Sequence, residues 1–95
     1  MTETTRYRFY TEDTRNTLEA QTDLDRWISV TFPRGVTIYG AEGVWYGGHE
    51  YSMVIEVITD EHTNEDMLAI AKDLRDFNKQ EAVLLTREWV TAQFV

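Results

Sequence analysis

The residue types best suited to acid–base chemistry lie beside a glycine pair in the middle of the chain. His49 and Glu50 directly follow Gly47 and Gly48. An imidazole beside a carboxylate can act as a general acid–base pair near neutral pH. Adjacent residues of a strand point to opposite faces, so His49 and Glu50 diverge unless a turn intervenes. A Glu42–His49 pairing across the turn is the alternative, and an exposed turn histidine is the ordinary interpretation.

A second group of titratable residues surrounds the other histidine. Asp60, Glu61, His62, Glu65 and Asp66 fall within one short stretch. A metal site would need such ligands to converge on one point at about 2.0 to 2.6 Å. Acidic residues are also expected in a solvated loop and in the first turn of a helix, where the helix dipole favours anions. We therefore predict no metal ion here.

No other pattern in the chain indicates covalent or cofactor chemistry. Ser29 and Ser52 are the only serines, and neither stands in a nucleophile-elbow context. The glycine-rich segments 40–43 and 47–48 open no helix and precede no Lys-Ser/Thr pair, so they are not phosphate-binding loops. The sequence predicts no catalytic residue and no cofactor.

Composition limits the protein classes further. The 95 residues contain 17 acidic and 9 basic side chains, a formal net charge of -8, and no cysteine. This length suits one domain, residues 1–95, near the lower limit of what a single core stabilises. The negative charge disfavours direct binding to a nucleic-acid backbone. No apolar run reaches the roughly 18 residues of a membrane span, and the lack of cysteine is typical of a cytoplasmic protein.

The first strand and helix are predicted from alternation and capping. Residues 6–10 alternate charged and aromatic side chains with period two, which indicates a strand. Thr22 with Asp25 three residues later resembles the start of a helix, and Thr14 or Thr17 is an earlier alternative. Pro33 should end that helix, because the residue before a proline is disfavoured in the α region.

A hairpin and a second helix follow. The run 51–58 carries large apolar side chains on both faces, which predicts a central strand covered on both sides. Thr63 should cap the second helix, with Asp66 as its capping-box partner. The predicted buried stripe of that helix comprises Met67, Ile70, Ala71, Leu74 and Phe77.

The chain closes with a predicted strand over 82–86 and a strand-like extension over 87–95. That extension contains Trp89 and Phe94. So much apolar mass indicates that it pairs with another strand, in this chain or in a neighbouring subunit.

These elements predict an α+β, ferredoxin-like β-α-β-β-α-β fold, with two helices on one face of a four-stranded antiparallel sheet. Tyr7, Phe9, Met53 and Ile55 should face the helices. The open face would carry an interaction surface. The predicted ligand- or partner-binding residues are Trp45, Tyr39, Arg6, Arg8, Tyr10 and, at the hairpin turn, His49. The predicted subunit-interface residues are Val54 and Ile58 of the open face together with Trp89 and Phe94 of the C-terminal extension.

Several segments resemble a bacterial family of small ferredoxin-like domains of unknown function. They are Phe32–Thr37, Gly43–Trp45, Glu50–Ser52 and Gln80–Leu84, within a resemblance over residues 7–86. The resemblance implies the fold, and it implies no activity or catalytic residue. The first helix is shorter than the family pattern, and the tail after Thr86 lies outside it. In size and charge, the chain is also similar in style to small acidic phage-encoded inhibitors of bacterial defence.

Two functional hypotheses follow. The first is a non-catalytic binding protein, a homodimer or higher homo-oligomer that binds a protein partner or a small anionic ligand; a phage-type anti-defence inhibitor is its concrete version. The alternative is a small enzyme with a ligand cavity between sheet and helices, using His49, Glu42, Tyr39 and Trp45.

Overall fold

The computed structural model describes residues 1–95 and contains six regular elements. They are strand β1 (Thr2–Glu12), helix α1 (Leu18–Thr31), strands β2 (Thr37–Trp45) and β3 (Gly48–Thr59), helix α2 (Asn64–Phe77) and strand β4 (Leu84–Ala92). The four strands form one antiparallel sheet in the order β2-β3-β1-β4. The predicted ferredoxin-like β-α-β-β-α-β fold is therefore confirmed.

The core lies between the sheet and the two helices. Tyr7, Phe9, Met53 and Ile55 pack there, as the alternation along β1 and β3 predicted. The largest side chains that are almost completely buried are Phe9, Leu24, Met53, Ile55, Met67, Leu74 and Val54. All of these except Val54 belong to the cluster beneath the helices, so that layer is filled by the chain's own side chains.

Helix α1 begins earlier than the Thr22 start that the sequence favoured. Thr17 is the cap, and its side-chain oxygen accepts a 3.0 Å hydrogen bond from the backbone N–H of Ala20. Thr22 lies one turn inside the helix, where its hydroxyl donates to the carbonyl of Leu18 at 2.9 Å. The alternative start at Thr17 is thus confirmed. The prediction of Thr22 as the cap is wrong, because its hydroxyl bonds to a carbonyl of the preceding helical turn and not to a free N–H.

Helix α2 has the predicted capping box. The Asp66 N–H donates to Thr63 Oγ1 at 3.1 Å, and the Thr63 N–H donates to Asp66 Oδ2 at 2.9 Å. Met67, Ala71 and Leu74 of the predicted stripe are buried. None of the helices is long and apolar enough to span a membrane.

Strand β4 continues well beyond the predicted end at Thr86. Its partners in β1 run from Tyr10, opposite Leu84, to Thr2, opposite Ala92. Most of the predicted extension therefore pairs with β1 of the same chain, which leaves its backbone bonds on that side unavailable to a neighbouring subunit.

Candidate binding surface

The sheet face opposite the helices is here called the open face. On it, Arg6 of β1 stands between Ile58 of β3 and Glu88 of β4. Two residues further along β1, Arg8 stands beside Glu56. Because side chains alternate along a strand, Tyr10 and its neighbours belong to the same face. The structure thus brings together the predicted residues Arg6, Arg8, Tyr10, Tyr39, Val54 and Ile58.

A cluster of four paired charges occupies the middle of the open face. The Arg8 Nε–H donates to Glu56 Oε1 at 2.8 Å, and Arg8 Nη1 lies 3.1 Å from Glu88 Oε1. The Arg6 Nε–H also donates to Glu88 at 2.8 Å. Arg6 Nε lies 3.8 Å from Glu56 as well, so both arginines share both carboxylates. We call these four residues the charge cluster.

Titration behaviour follows from this pairing. The hydrogen bond to Glu56 raises the pKa of the Arg8 guanidinium above its ordinary value. The hydrogen bond from Arg6 lowers the pKa of the Glu88 carboxyl. Each charged form is favoured by a partner of opposite sign. An anionic ligand at Arg6 or Arg8 would consequently have to displace a carboxylate that is already bound.

Apolar residues flank the charge cluster. Tyr39 is 40% exposed, Ile58 48% and Leu84 56%. Val54, a predicted interface residue, is only 1% exposed, and its neighbours in register are Tyr10 and Tyr39. Val54 therefore has almost no area left for a partner to cover, and the accessible apolar area next to the charge cluster belongs to Tyr39, Ile58 and Leu84.

The two C-terminal interface candidates lie elsewhere. Trp89 pairs with Thr5, which places it on the helix side of the sheet rather than on the open face with Ile58. On that side it is 84% exposed, so it is not part of the core. Phe94 follows the end of β4 and lines a cavity described below. The structure therefore does not join Trp89 to Val54 and Ile58 in one surface.

The β2–β3 hairpin ends in a tight turn of exposed aromatic residues. Trp45 is 64% exposed and lies on the Tyr39 side of β2. Tyr46 and Gly47 form the turn with φ angles of 50° and 80°. Positive φ at both central residues is typical of type I′ hairpin turns, which favour Asn-Gly over an aromatic residue.

The Glu42–His49 alternative describes the hairpin correctly. His49 Nδ1 and Glu42 Oε1 are hydrogen-bonded across the two strands. The His49 and Glu42 side chains are exposed, and they project on the helix side of β2 and β3. The predicted grouping of His49 with Arg6, Arg8 and Tyr39 is thus not observed, since these residues lie on opposite faces.

The acidic residues near His62 have local roles. Asp66 completes the capping box, and the backbone hydrogen bond from Thr63 lowers the pKa of its carboxyl. Glu61 forms a 2.8 Å ion pair with Arg34. No group of three or more His, Asp or Glu side chains is placed to hold a metal ion.

Sequence reasoning missed a cavity of about 730 Å³ at one end of the sheet, here called the end cavity. Strand β3 ends at Thr59, opposite Thr5, whereas β1 continues to Thr2 alongside β4. The recess that remains is lined by the end of α1 and by the 59–62 loop. A smaller cavity of about 380 Å³ shares His62 with it and includes Trp89. These cavities result from how far β1 pairs with β3 and with β4, so no sequence motif predicts them.

Comparison with known proteins gives the fold independent support. No protein-family model and no curated protein sequence matches the chain. A phage SAM lyase in its apo state is similar in structure, with a TM-score of 0.59, 19% identity, and coverage of 98% of this chain and 93% of the lyase. Both share a small ferredoxin-like domain.

A second similar structure is CPII, a nitrogen regulatory PII-like protein from Thiomonas intermedia K12, bound to ADP, AMP and bicarbonate. Its TM-score is 0.58 at 16% identity, over 99% of this chain and 98% of CPII. At such identities the likeness concerns the fold alone.

Proposed function

We propose that the chain is a non-catalytic, oligomeric binding protein whose open face joins copies of the chain and which binds a small adenosine-containing ligand. The observation that carries the first part is the composition of the open face. Its charge cluster contains two arginines and two glutamates paired with one another. Exposed Tyr39, Ile58 and Leu84 surround that cluster.

A surface of this kind suits self-association. The chain as a whole carries a net charge of -8, so most of its surfaces would repel an identical copy. The open face is different because its four central charges sum to zero. Apolar area around a neutral centre can be buried against a second copy without an unpaired buried charge.

The ligand class is proposed from the two similar structures. One is a SAM lyase and the other binds ADP and AMP, so adenosine is the chemical group that their ligands share. In this chain Tyr39 and the exposed Trp45 lie on the same side of β2 and offer flat surfaces for an adenine ring. A neighbouring copy that packs on the open face would supply the opposite wall and form a cleft beside these rings. ADP and AMP also fit the small anionic ligand expected from the sequence.

The biological version of the proposal is a phage-type inhibitor of bacterial defence that sequesters S-adenosylmethionine (SAM) or a protein partner. It is supported by the structural likeness to a phage protein and by the chain's small size and acidity. We also propose that the chain belongs to the small ferredoxin-like bacterial family that its sequence resembles. Residues 1–95 would form a single domain, with residues 87–95 as a C-terminal extension.

Self-association is tested with a pair of matched variants. Ile58 on the open face and Leu68 on the outer surface of α2 are both 48% exposed. We expect Ile58→Glu to convert the oligomer to a monomer in native mass spectrometry and light scattering at tens of micromolar. Leu68→Glu, with the same change in charge, should leave the subunit count unchanged. A monomeric wild-type protein, or equal effects of both variants, would reject the open face as the interface.

Ligand binding is tested separately by calorimetry with SAM, AMP, ADP and adenosine. We expect saturable binding of at least one of them, and weaker binding by Trp45→Ala. Retention of the same small molecule through gentle purification would be visible as extra mass in the native spectrum. If none of the four compounds binds at millimolar concentration, the adenosine proposal fails, whatever the subunit count.

An enzyme that acts on SAM is the second candidate. The likeness to a lyase favours it, and the hydrogen-bonded Glu42–His49 pair is the only histidine–carboxylate pair among the chain's side-chain ion pairs. Since core side chains fill the layer between sheet and helices, the reacting group would have to meet this pair at the hairpin tip. Chromatography of SAM incubated with the protein would detect products. Turnover that His49→Ala and Glu42→Gln abolish would favour the enzyme, and turnover that both variants retain would remove this pair from consideration.

A further inference from the structure

Strand β2 is an edge of the sheet whose outer side carries none of the usual protections. The strand order places β3 on one side of β2 and no strand on the other. Natural edge strands are kept from pairing with another chain by bulges, proline, basic side chains or short length. Strand β2 is nine residues long, pairs with β3 without a bulge from Thr37 to Trp45, and contains Glu42 as its single charged residue. Its outer backbone groups are therefore available to a further strand.

The hairpin turn determines which backbone groups of β2 point outward. Trp45 and Gly48 flank the two-residue turn, and residues in that position exchange both hydrogen bonds with each other. Because this pattern alternates along an antiparallel ladder, the odd-numbered residues of β2 bond to β3. The N–H and C=O groups of the even-numbered residues then point away from the sheet. These residues are Ile38, Gly40, Glu42 and Val44, of which the last three are exposed.

The sequence of β2 is complementary to itself in antiparallel pairing about Ala41. A two-fold axis at Ala41 places every outward-pointing residue opposite another one and aligns the two strands over their whole length. Ile38 then meets Val44 of the second copy, which makes an apolar pair on the helix side of the sheet. Glu42 meets Gly40 of the second copy, so the only carboxylate of the strand has no like charge opposite it.

The open-face side of β2 and the neighbouring registers favour the same axis. About Ala41, the ring of Tyr39 lies opposite Gly43 of the second copy, and an aromatic side chain across from an edge glycine supports the pairing. An axis at Glu42 would place two carboxylates directly opposite each other, which destabilises a strand pair. An axis at Gly40 would leave the end of β2 at Trp45 without a strand partner.

We propose that two copies of the chain pair antiparallel through their β2 edges, about a two-fold axis at Ala41, to form one continuous sheet. The outward groups would make about eight backbone hydrogen bonds. The net charge of -8 opposes association, and the contact consists mainly of backbone, so we expect it at hundreds of micromolar. This contact goes beyond the open-face association, because it uses a sheet edge and leaves both open faces on the same side of the continuous sheet.

The first test is cysteine cross-linking, which is unambiguous because the chain contains no cysteine. Ala41 lies opposite itself on the axis, in a pair without backbone hydrogen bonds whose Cα atoms are about 4.5 Å apart. A disulfide needs roughly 4.4–6.8 Å. We expect Ala41→Cys to form disulfide-linked dimers under mild oxidation. Thr37→Cys is the control, because Thr37 is exposed on the same face of β2 and its counterpart lies at the far end of the paired strand.

The second test changes the charge at Gly40. A Cβ atom there would meet nothing within 4 Å beyond its chain neighbours, so a side chain fits in the single copy. Gly40→Lys places an ammonium opposite Glu42, and Gly40→Glu places a second carboxylate there. We expect the dimer dissociation constant to fall about fivefold for Gly40→Lys and to rise about fivefold for Gly40→Glu in sedimentation equilibrium. Ala69→Lys and Ala69→Glu, at an exposed position of α2, change the net charge equally and should have much smaller effects.

All of these variants are made in the Ile58→Glu background, so the result does not depend on the open-face contact and failure of either contact is seen separately. The proposal is overturned if Ala41→Cys gives no more linked dimer than Thr37→Cys, or if the Gly40 and Ala69 variants shift the dissociation constant alike. It is also overturned if Ala41→Cys links only to a cysteine on β4, such as Thr91→Cys, since that result would show head-to-tail pairing of the two sheet edges. The amide NMR spectrum of each variant shows directly whether it is folded.

Discussion

Arg8 on β1 donates a 2.8 Å hydrogen bond to Glu56 on β3, and this pair lies at the centre of the open face. The two residues are 48 positions apart in the chain. Glu88 approaches the same guanidinium at 3.1 Å from the other neighbouring strand. The centre of the open face is therefore neutral, and neither arginine is free to bind an anion without displacing a glutamate.

The charge cluster should make stability depend on pH. The pKa of Glu88 is lowered from its ordinary value of 4.5 by Arg6, so folding favours its ionised form. Its contribution is fully present above about pH 5 and is lost as the pH falls through 4.5 toward the lowered value. We expect Glu88→Gln to lose less stability between pH 7 and pH 3.5 than the wild type, measured as the shift in urea midpoint.

Glu81→Gln is the control for this measurement, because Glu81 is exposed and makes no ion pair. It removes the same charge and should follow the wild-type pH dependence. If Glu88→Gln and Glu81→Gln behave alike, the ion pair between Arg6 and Glu88 contributes nothing to folding in solution.

The start of α1 can be tested with two threonines. Thr17→Ala removes the cap and leaves the N–H of Ala20 without its acceptor, so it should cost about 1 kcal/mol of unfolding free energy. Thr22→Ala alters a position inside the helix, where alanine is a good helix former, and should be nearly neutral. Urea denaturation measures both. A larger loss of unfolding free energy for Thr22→Ala than for Thr17→Ala would indicate that the helix begins at Thr22.

The two leucines on α2 should differ strongly in their energetic importance. Leu74 is completely buried, so Leu74→Ala should lower the free energy of unfolding by about 2 to 5 kcal/mol through lost burial and a residual cavity. Leu68 is 48% exposed on the same helix, and Leu68→Ala should change it by less than about 1 kcal/mol. Chemical denaturation would contradict the packing of α2 if the two losses were equal.

Tyr46 occupies a turn position that its side chain disfavours. It has a φ of 50° and is fully exposed, so it adopts a left-handed conformation without compensating burial. Tyr46→Asn should raise the free energy of unfolding by about 0.5 to 1 kcal/mol, because asparagine tolerates this conformation. Thermal unfolding measures the gain. Tyr46→Ala is the control and should give no such gain, and a destabilising Tyr46→Asn would show that the aromatic ring contributes to the folded hairpin.

The local elements were predictable from short patterns. The cap of α2, its buried stripe and the alternation that sends Phe9 and Ile55 to the core depend on residues close together in the chain. The start of α1 was ambiguous because several threonines offer a capping hydroxyl, and only the completed helix shows which hydroxyl meets a free N–H. The face of the sheet on which Trp89 lies could not be predicted, because it depends on the register that places Trp89 of β4 opposite Thr5 of β1.

The sequence by itself determined the order of elements, the fold class and the two faces of the central strands, since helical and strand periodicities are properties of neighbouring residues. Only the tertiary structure decided the charge cluster, the exposure of His49 at the hairpin tip and the end cavity. Each of these depends on register between segments distant in the chain. A shift of one residue in that register would turn every side chain of a strand to the opposite face.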